Sequence, residues 1–128
     1  MKILTVCQPW AWAIVQGIKV IENRSWPTRY RDPLLIHAGK STKWLNTPQL
    51  PEAPGPTDLV FGAIIGGVEI LDCIPVEQIQ GERFASGPYC WILGNPWCLI
   101  HPLPLAGKLG LFEAPSSIAA AIGSQLPT

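Results

Sequence analysis

The stretch 59–71 constrains this chain more than any other. It is the longest β-like segment, and Gly62, Gly66 and Gly67 are embedded in it. Glycine inside a strand marks a bulge, a sharp bend or the close passage of another backbone. A strand punctuated in this way bends, and a sheet built on it is expected to curl into a small barrel. The other apolar runs are short and cut by turn residues. Segments 2–7, 19–23, 34–38, 89–93, 97–105 and 108–113 all read as strands. Pro9 suits the first position of a helix and Gly17 its end, which places a short helix over 10–16. The alanine-rich stretch 116–122 reads as a second helix, capped by Ser116 or Ser117, within a tail spanning 116–128. Four prolines between Asn46 and Asp58 mark 46–58 as an exposed loop. The expected class is α+β and β-rich: one domain over 1–128, a compact, curved, mostly antiparallel sheet or barrel with short peripheral helices.

Charge narrows the function. Nine Lys and Arg balance nine Asp and Glu, and only 14% of residues are charged. This excludes a protein that coats a duplex through a strongly basic face, but leaves room for a cavity that grips one nucleotide with a few cations. The four cysteines form no CxxC pair, and neither histidine stands at zinc-ligand spacing, so no metal and no cofactor are expected. The opening apolar stretch is cut short by Gln8-Pro9, and no run approaches the ~20 residues of a membrane span. The expectation is a cytoplasmic protein with reduced, buried cysteines and no membrane contact.

Five groups of residues can carry chemistry. Glu22 and Arg24 share a face of the strand at 19–23, where an ion pair would fix the guanidinium; alternation places Lys19 on the other face. Trp10 and Trp12 cannot lie on one side of a helix, so one is expected in the core and the other at a pocket rim, where a ring stacks on a base. His37-Ala38-Gly39-Lys40 stands where a strand ends and a helix is expected to begin, a place suited to a phosphate; a His37 that only satisfies backbone is the alternative. Glu69 shares a face with Phe61, Ala63 and Ile65 unless Gly66-Gly67 shifts the register. A carboxylate there is a candidate general base or a partner for Lys19 or Arg24. Tyr89 and Trp91 share a face of their strand and offer a further wall.

Taken in order, Gln8-Pro9-Trp10-Ala11, Gly17-Ile18-Lys19 with Glu22, Arg24 and Trp26, and Leu35-Ile36-His37-Ala38-Gly39 resemble the ASCH domain family. The stretch from Trp91-Ile92-Leu93 to Leu111-Phe112 is similar to that family's C-terminal half, so the resemblance covers roughly residues 2 to 114. It implies a PUA-like barrel and a nucleic-acid-binding module for RNA, single-stranded DNA or a modified nucleotide. Its ligand cleft would be lined by Lys19, Glu22 and Arg24, with Trp10 and Trp26 nearby. It also implies an alternative, a small hydrolase. Acetylcytidine amidohydrolases of this fold use a lysine, a threonine and a glutamate; Lys19 and Glu69 match two of these, while the threonine position is Glu22. For a ribonuclease, Lys19, Arg24 and Tyr89 are the candidate groups. A protein-interaction module using exposed tryptophans is the second alternative.

Overall fold

The computed structural model describes residues 1–125, and the last three residues of the expected tail lie outside that range. Strand β1 (Lys2–Val6) leads directly into helix α1 (Trp10–Val15). The helix ends as Gly17 requires. With Gly17 at φ +78°, its N–H donates to the Ile14 carbonyl at 3.0 Å and the Ile18 N–H to the Ala13 carbonyl at 2.9 Å. These paired bonds satisfy the last carbonyls of the helix and turn the chain back on itself. Strands β2 (Ile21–Arg24), β3 (Pro33–Ala38), β4 (Ala63–Pro75), β5 (Tyr89–Pro104) and β6 (Leu111–Glu113) follow, and helix α2 (Ser116–Gln125) closes the described chain. Pro115, rather than either serine, caps α2 through its carbonyl, which accepts the N–H groups of Ile118 and Ala119 at 3.0 and 3.1 Å. No described helix is long and apolar enough to cross a membrane.

The six strands form one mixed sheet in the order β2-β5-β4-β3-β1-β6. Two features of the expected antiparallel barrel are corrected. First, β1 and β3 pair in parallel, Lys2 opposite Leu34 through Val6 opposite Ala38, because the chain between them crosses over by way of α1. Second, β2 and β6 are edges that do not pair with each other among the described residues, so the sheet stays open. The two strands expected over 89–105 are one long, bent strand, β5. No helix begins at Gly39 either; the segment after it is made of turns, with a single 3-10 turn at Pro56–Asp58.

Side-chain alternation gives the sheet two cores. Leu34, Ile36 and Ala38 join Leu4, Val6 and Trp91 beneath α1, whereas Leu35 joins Ile3, Ile64, Ile118 and Ile122 beneath α2. Strand β4 breaks this alternation. Ile64 lies on the α2 side, yet Val68 and Ile70, of the same parity, lie on the α1 side. Against β3 the register shifts by one residue at Ile65, from Ile36 opposite Gly66 to His37 opposite Ile64; this extra residue on β4 accounts for the reversal, since a slip of one residue exchanges the two faces. Glu69 therefore does not share a face with Ile65. The glycines are needed for a separate reason. A Cβ on Gly66 would stand 2.1 Å from the Trp97 carbonyl oxygen, and one on Gly67 would stand 2.4 Å from the Trp97 ring.

Strand β5 thus crosses β4 at a distance that only glycine allows. Overpacking of this kind costs about 1–3 kcal/mol. Gly66→Ala is expected to lower the thermal midpoint by about 5–15 °C in calorimetry; an unchanged midpoint would refute so close a crossing. The cysteines are unpaired, but of the four only Cys90 is fully buried. Cys7 and Cys73 are half-buried and Cys98 is exposed, against the expectation that all pack as core.

Candidate functional site

A cavity of ≈ 660 Å³ opens beside the end of β1 on the α1 side of the sheet. Its wall is laid down by three pieces of local structure. The end of β1 contributes Thr5, Val6 and Cys7, the start of α1 contributes Trp10, and the chain from Lys19 through β2 contributes Lys19, Glu22, Asn23 and Arg24. Two loops complete it: Trp44 and Gln49 after β3, and residues 83–86 between β4 and β5.

The centre of the wall is an ion triad. Glu22 Oε1 lies 3.0 Å from Lys19 Nζ, and Glu22 Oε2 lies 2.7 Å from Arg24 Nη2 and 2.9 Å from Arg24 Nε. Arg24 Nη2 also donates to the Thr5 carbonyl at 3.2 Å, and Lys19 Nζ donates to the Ile21 carbonyl. The side chains of Lys19 and Glu22 are 7% and 9% exposed, against 24% for Arg24. Little water is therefore available to the inner pair, and a charge so placed must be paired. One carboxylate serves two cations, which leaves the wall with an excess of one positive charge.

The expected facing of Glu22 and Arg24 holds, but that of Lys19 does not. Lys19 precedes β2, on the turn that closes α1, with its N–H donating to the Ala13 carbonyl at 3.0 Å. Strand alternation does not govern it there, and its ammonium swings to Glu22.

Aromatic rings form the opposite character of the site. Trp10 meets Trp44 with ring centroids 6.2 Å apart and Phe84 at 6.3 Å, both edge to face. Asn23 secures the loop that carries Phe84. Its Nδ2 donates to the Phe84 carbonyl at 2.7 Å, and its Oδ1 accepts the N–H groups of Ser86 and Gly87, each at 2.9 Å. Arg83 brings a third cation to the cavity. It lies 4.6 Å over the Phe84 ring and is held by Glu52.

Of the residues singled out in the sequence, Trp10, Lys19, Glu22 and Arg24 are brought together and the others are placed elsewhere. Gln8 is buried and structural: its amide donates to the Val60 carbonyl at 2.9 Å and its oxygen accepts the Trp12 N–H at 2.9 Å, tying α1 to the approach of β4. Trp26 packs edge to face on the buried Trp91 at 4.7 Å. His37, on the α2 face, is spent between Thr5 Oγ1 at 3.2 Å and the Leu105 carbonyl. Lys40 is exposed and lies along Gly62. The Glu69 carboxylate accepts a bond from Asn95 at 3.2 Å, and Tyr89 is the register partner of Arg24; neither lines the cavity. Sequence reasoning missed Asn23, Trp44, Arg83 and Phe84. All but Asn23 stand in loops without a motif, and Asn23 sits between the two charges that drew attention.

The ASCH domain family model matches residues 4–95 of the chain. Over 133 aligned positions, 90% of the chain, it is 29% identical to Activating signal cointegrator 1 of Homo sapiens; over 131 positions it is 30% identical to the Mus musculus protein of that name. In both cases the chain spans 22% of the relative's length. Among solved structures it is similar to ASCH from Zymomonas mobilis, with a TM-score of 0.64 at 14% identity over 96% of this chain and 93% of that one. A mutant of that protein gives 0.65 at 12% identity, over 96% and 94%. At such identities the likeness concerns the fold.

Proposed function

This chain belongs to the ASCH domain family, and on that premise we propose that it is a nucleic-acid-binding module. Its cavity holds one nucleotide of a single-stranded RNA or DNA, or a modified nucleotide. The observation that carries this reading is the meeting of Lys19, Arg24 and Arg83 with Trp10, Trp44 and Phe84 around one cavity of ≈ 660 Å³. That volume falls in the range of about 300–1,000 Å³ usual for small-ligand sites. Aromatic rings take a base through stacking, which contributes roughly 1–3 kcal/mol per base. The excess positive charge takes a phosphate. With only nine Lys and Arg and a net charge of zero, few phosphates are contacted and long duplexes bind weakly. The unpaired cysteines suit a reducing compartment such as the cytoplasm.

The amidohydrolase reading called for Lys19 and Glu69 and the ribonuclease reading for Lys19, Arg24 and Tyr89; Lys19 and Arg24 line the cavity, Glu69 and Tyr89 do not. No observation favours either over binding.

The test is a fluorescence titration with single-stranded RNA, single-stranded DNA, duplex and modified nucleosides over a salt series. Mass spectrometry run alongside looks for product. Single strands are expected to outcompete duplex, with a logarithmic salt slope near −0.7 per phosphate contacted, about −1 to −2 in all. Trp44→Ala removes a ring that is 38% exposed, so the fold should persist while affinity falls about 5- to 150-fold. Equal affinity in that variant, or preference for duplex, would sink the reading.

A further inference from the structure

Three cations line the cavity, and they are held in different ways. Lys19 and Arg24 share Glu22 within the wall. Arg83 is held from outside it: Nη1 and Nη2 lie 2.6 and 2.7 Å from the two oxygens of Glu52, which is not itself a cavity residue, and Nη2 also donates to the Gln49 carbonyl at 3.3 Å. The pair is exposed to solvent, 47% for Arg83 and 39% for Glu52. Hydrogen bonding to Arg83 holds the Glu52 carboxyl down at about 2, so both partners are charged at any ordinary pH.

If the pair opened, Arg83 would not drift away, because its guanidinium already rests on the Phe84 ring. The Phe84 loop is in turn pinned to Asn23, which stands between Glu22 and Arg24 on β2. The cavity therefore offers two separately held cationic points. A ligand with one anionic group uses one of them. A nucleotide inside a strand has a phosphate on both its 5′ and its 3′ side.

We propose that Arg83 is a second phosphate site, by which the cavity selects a nucleotide flanked by two phosphates over a nucleoside or a monophosphate, and that Glu52 is an internal competitor that moderates this preference. This rests on the nucleotide reading and adds to it a specificity-determining pair. An exposed ion pair shifts an equilibrium by no more than about fivefold. It is weak enough for a phosphate to displace, yet large enough to moderate the preference measurably.

The experiment compares calorimetric affinities of the whole chain for a nucleoside, its 5′-monophosphate and its 3′,5′-bisphosphate. The proteins are the wild type, Glu52→Gln and Arg83→Gln. Glu52→Gln is expected to bind the bisphosphate about three- to fivefold more tightly and the nucleoside unchanged. Arg83→Gln should bind bisphosphate and monophosphate alike. Both residues are on the surface, and unchanged thermal midpoints would show that both variants fold. A bisphosphate affinity that is unchanged or weaker in Glu52→Gln, or a gain that extends equally to the nucleoside, overturns the proposal alone. If neither wild type nor Glu52→Gln binds any of the three, the nucleotide reading falls and the proposal falls with it.

Discussion

Arg24→Ala is expected to lower affinity for a single-stranded oligonucleotide by about 30-fold or more while the domain stays folded. The asymmetry follows from how Arg24 is held. Its Nε and Nη2 are engaged by Glu22 and by the Thr5 carbonyl, which fixes the plane of the guanidinium. Among the described residues Nη1 has no bond, and it carries two donors that a phosphate can use. Truncating a hydrogen-bonded charge at an interface costs about 2–5 kcal/mol of binding, and a side chain 24% exposed belongs at the lower end of that range. The fold loses less, because Glu22 keeps Lys19 at 3.0 Å and is not left alone. Fluorescence anisotropy at several salt concentrations checks this, with circular dichroism to establish folding. The salt slope should become shallower by about 0.7, the share of one single-strand phosphate. A folded Arg24→Ala protein with unchanged affinity and slope would remove the triad from the binding site.

Glu22→Gln should produce the largest loss of stability at the site, about 3–5 kcal/mol. Glu22 is the hub of the triad. Losing either cation leaves an intact pair, whereas losing the carboxylate leaves two cations side by side, one of them on a side chain only 7% exposed. A domain of this size has roughly 5–15 kcal/mol in total, so the thermal midpoint should drop by about 10–25 °C. Lys19→Met should drop it much less, since Arg24 still pairs with Glu22. Inorganic phosphate should restore part of the Glu22→Gln midpoint by standing in for the missing carboxylate. Equal midpoints for Glu22→Gln and Lys19→Met would show that the carboxylate is not the hub.

Much of this was legible in the residues, and the failures have physical causes. Helix α1 and its end at Gly17 were readable because a glycine at φ +78° does its work within a few residues. The Glu22–Arg24 pair was readable because alternation within one short strand is local. Lys19 was misplaced because it belongs to the turn before the strand. Glu69 was misplaced because an extra residue at Ile65, just before the glycine pair, reverses the faces of β4, and a glycine pair signals a bulge without stating its register. His37 and Gln8 looked available as polar residues in a motif. Their partners, Leu105 and Val60, are 68 and 52 residues away, and only those partners show that both side chains are spent.

The sequence by itself determined the α+β class, the family and, at the inner wall of the cavity, Trp10 and the Glu22–Arg24 pair, since each rests on short-range pattern. Only the tertiary structure decided that the sheet stays open, that β1 lies parallel to β3, and that Trp44, Arg83 and Phe84 complete the cavity. Those outcomes depend on contacts between distant segments, such as the bond from Asn23 to Phe84 across 61 residues. Local propensity carries no information about which loop such a side chain will meet; packing the two cores against the sheet sets that.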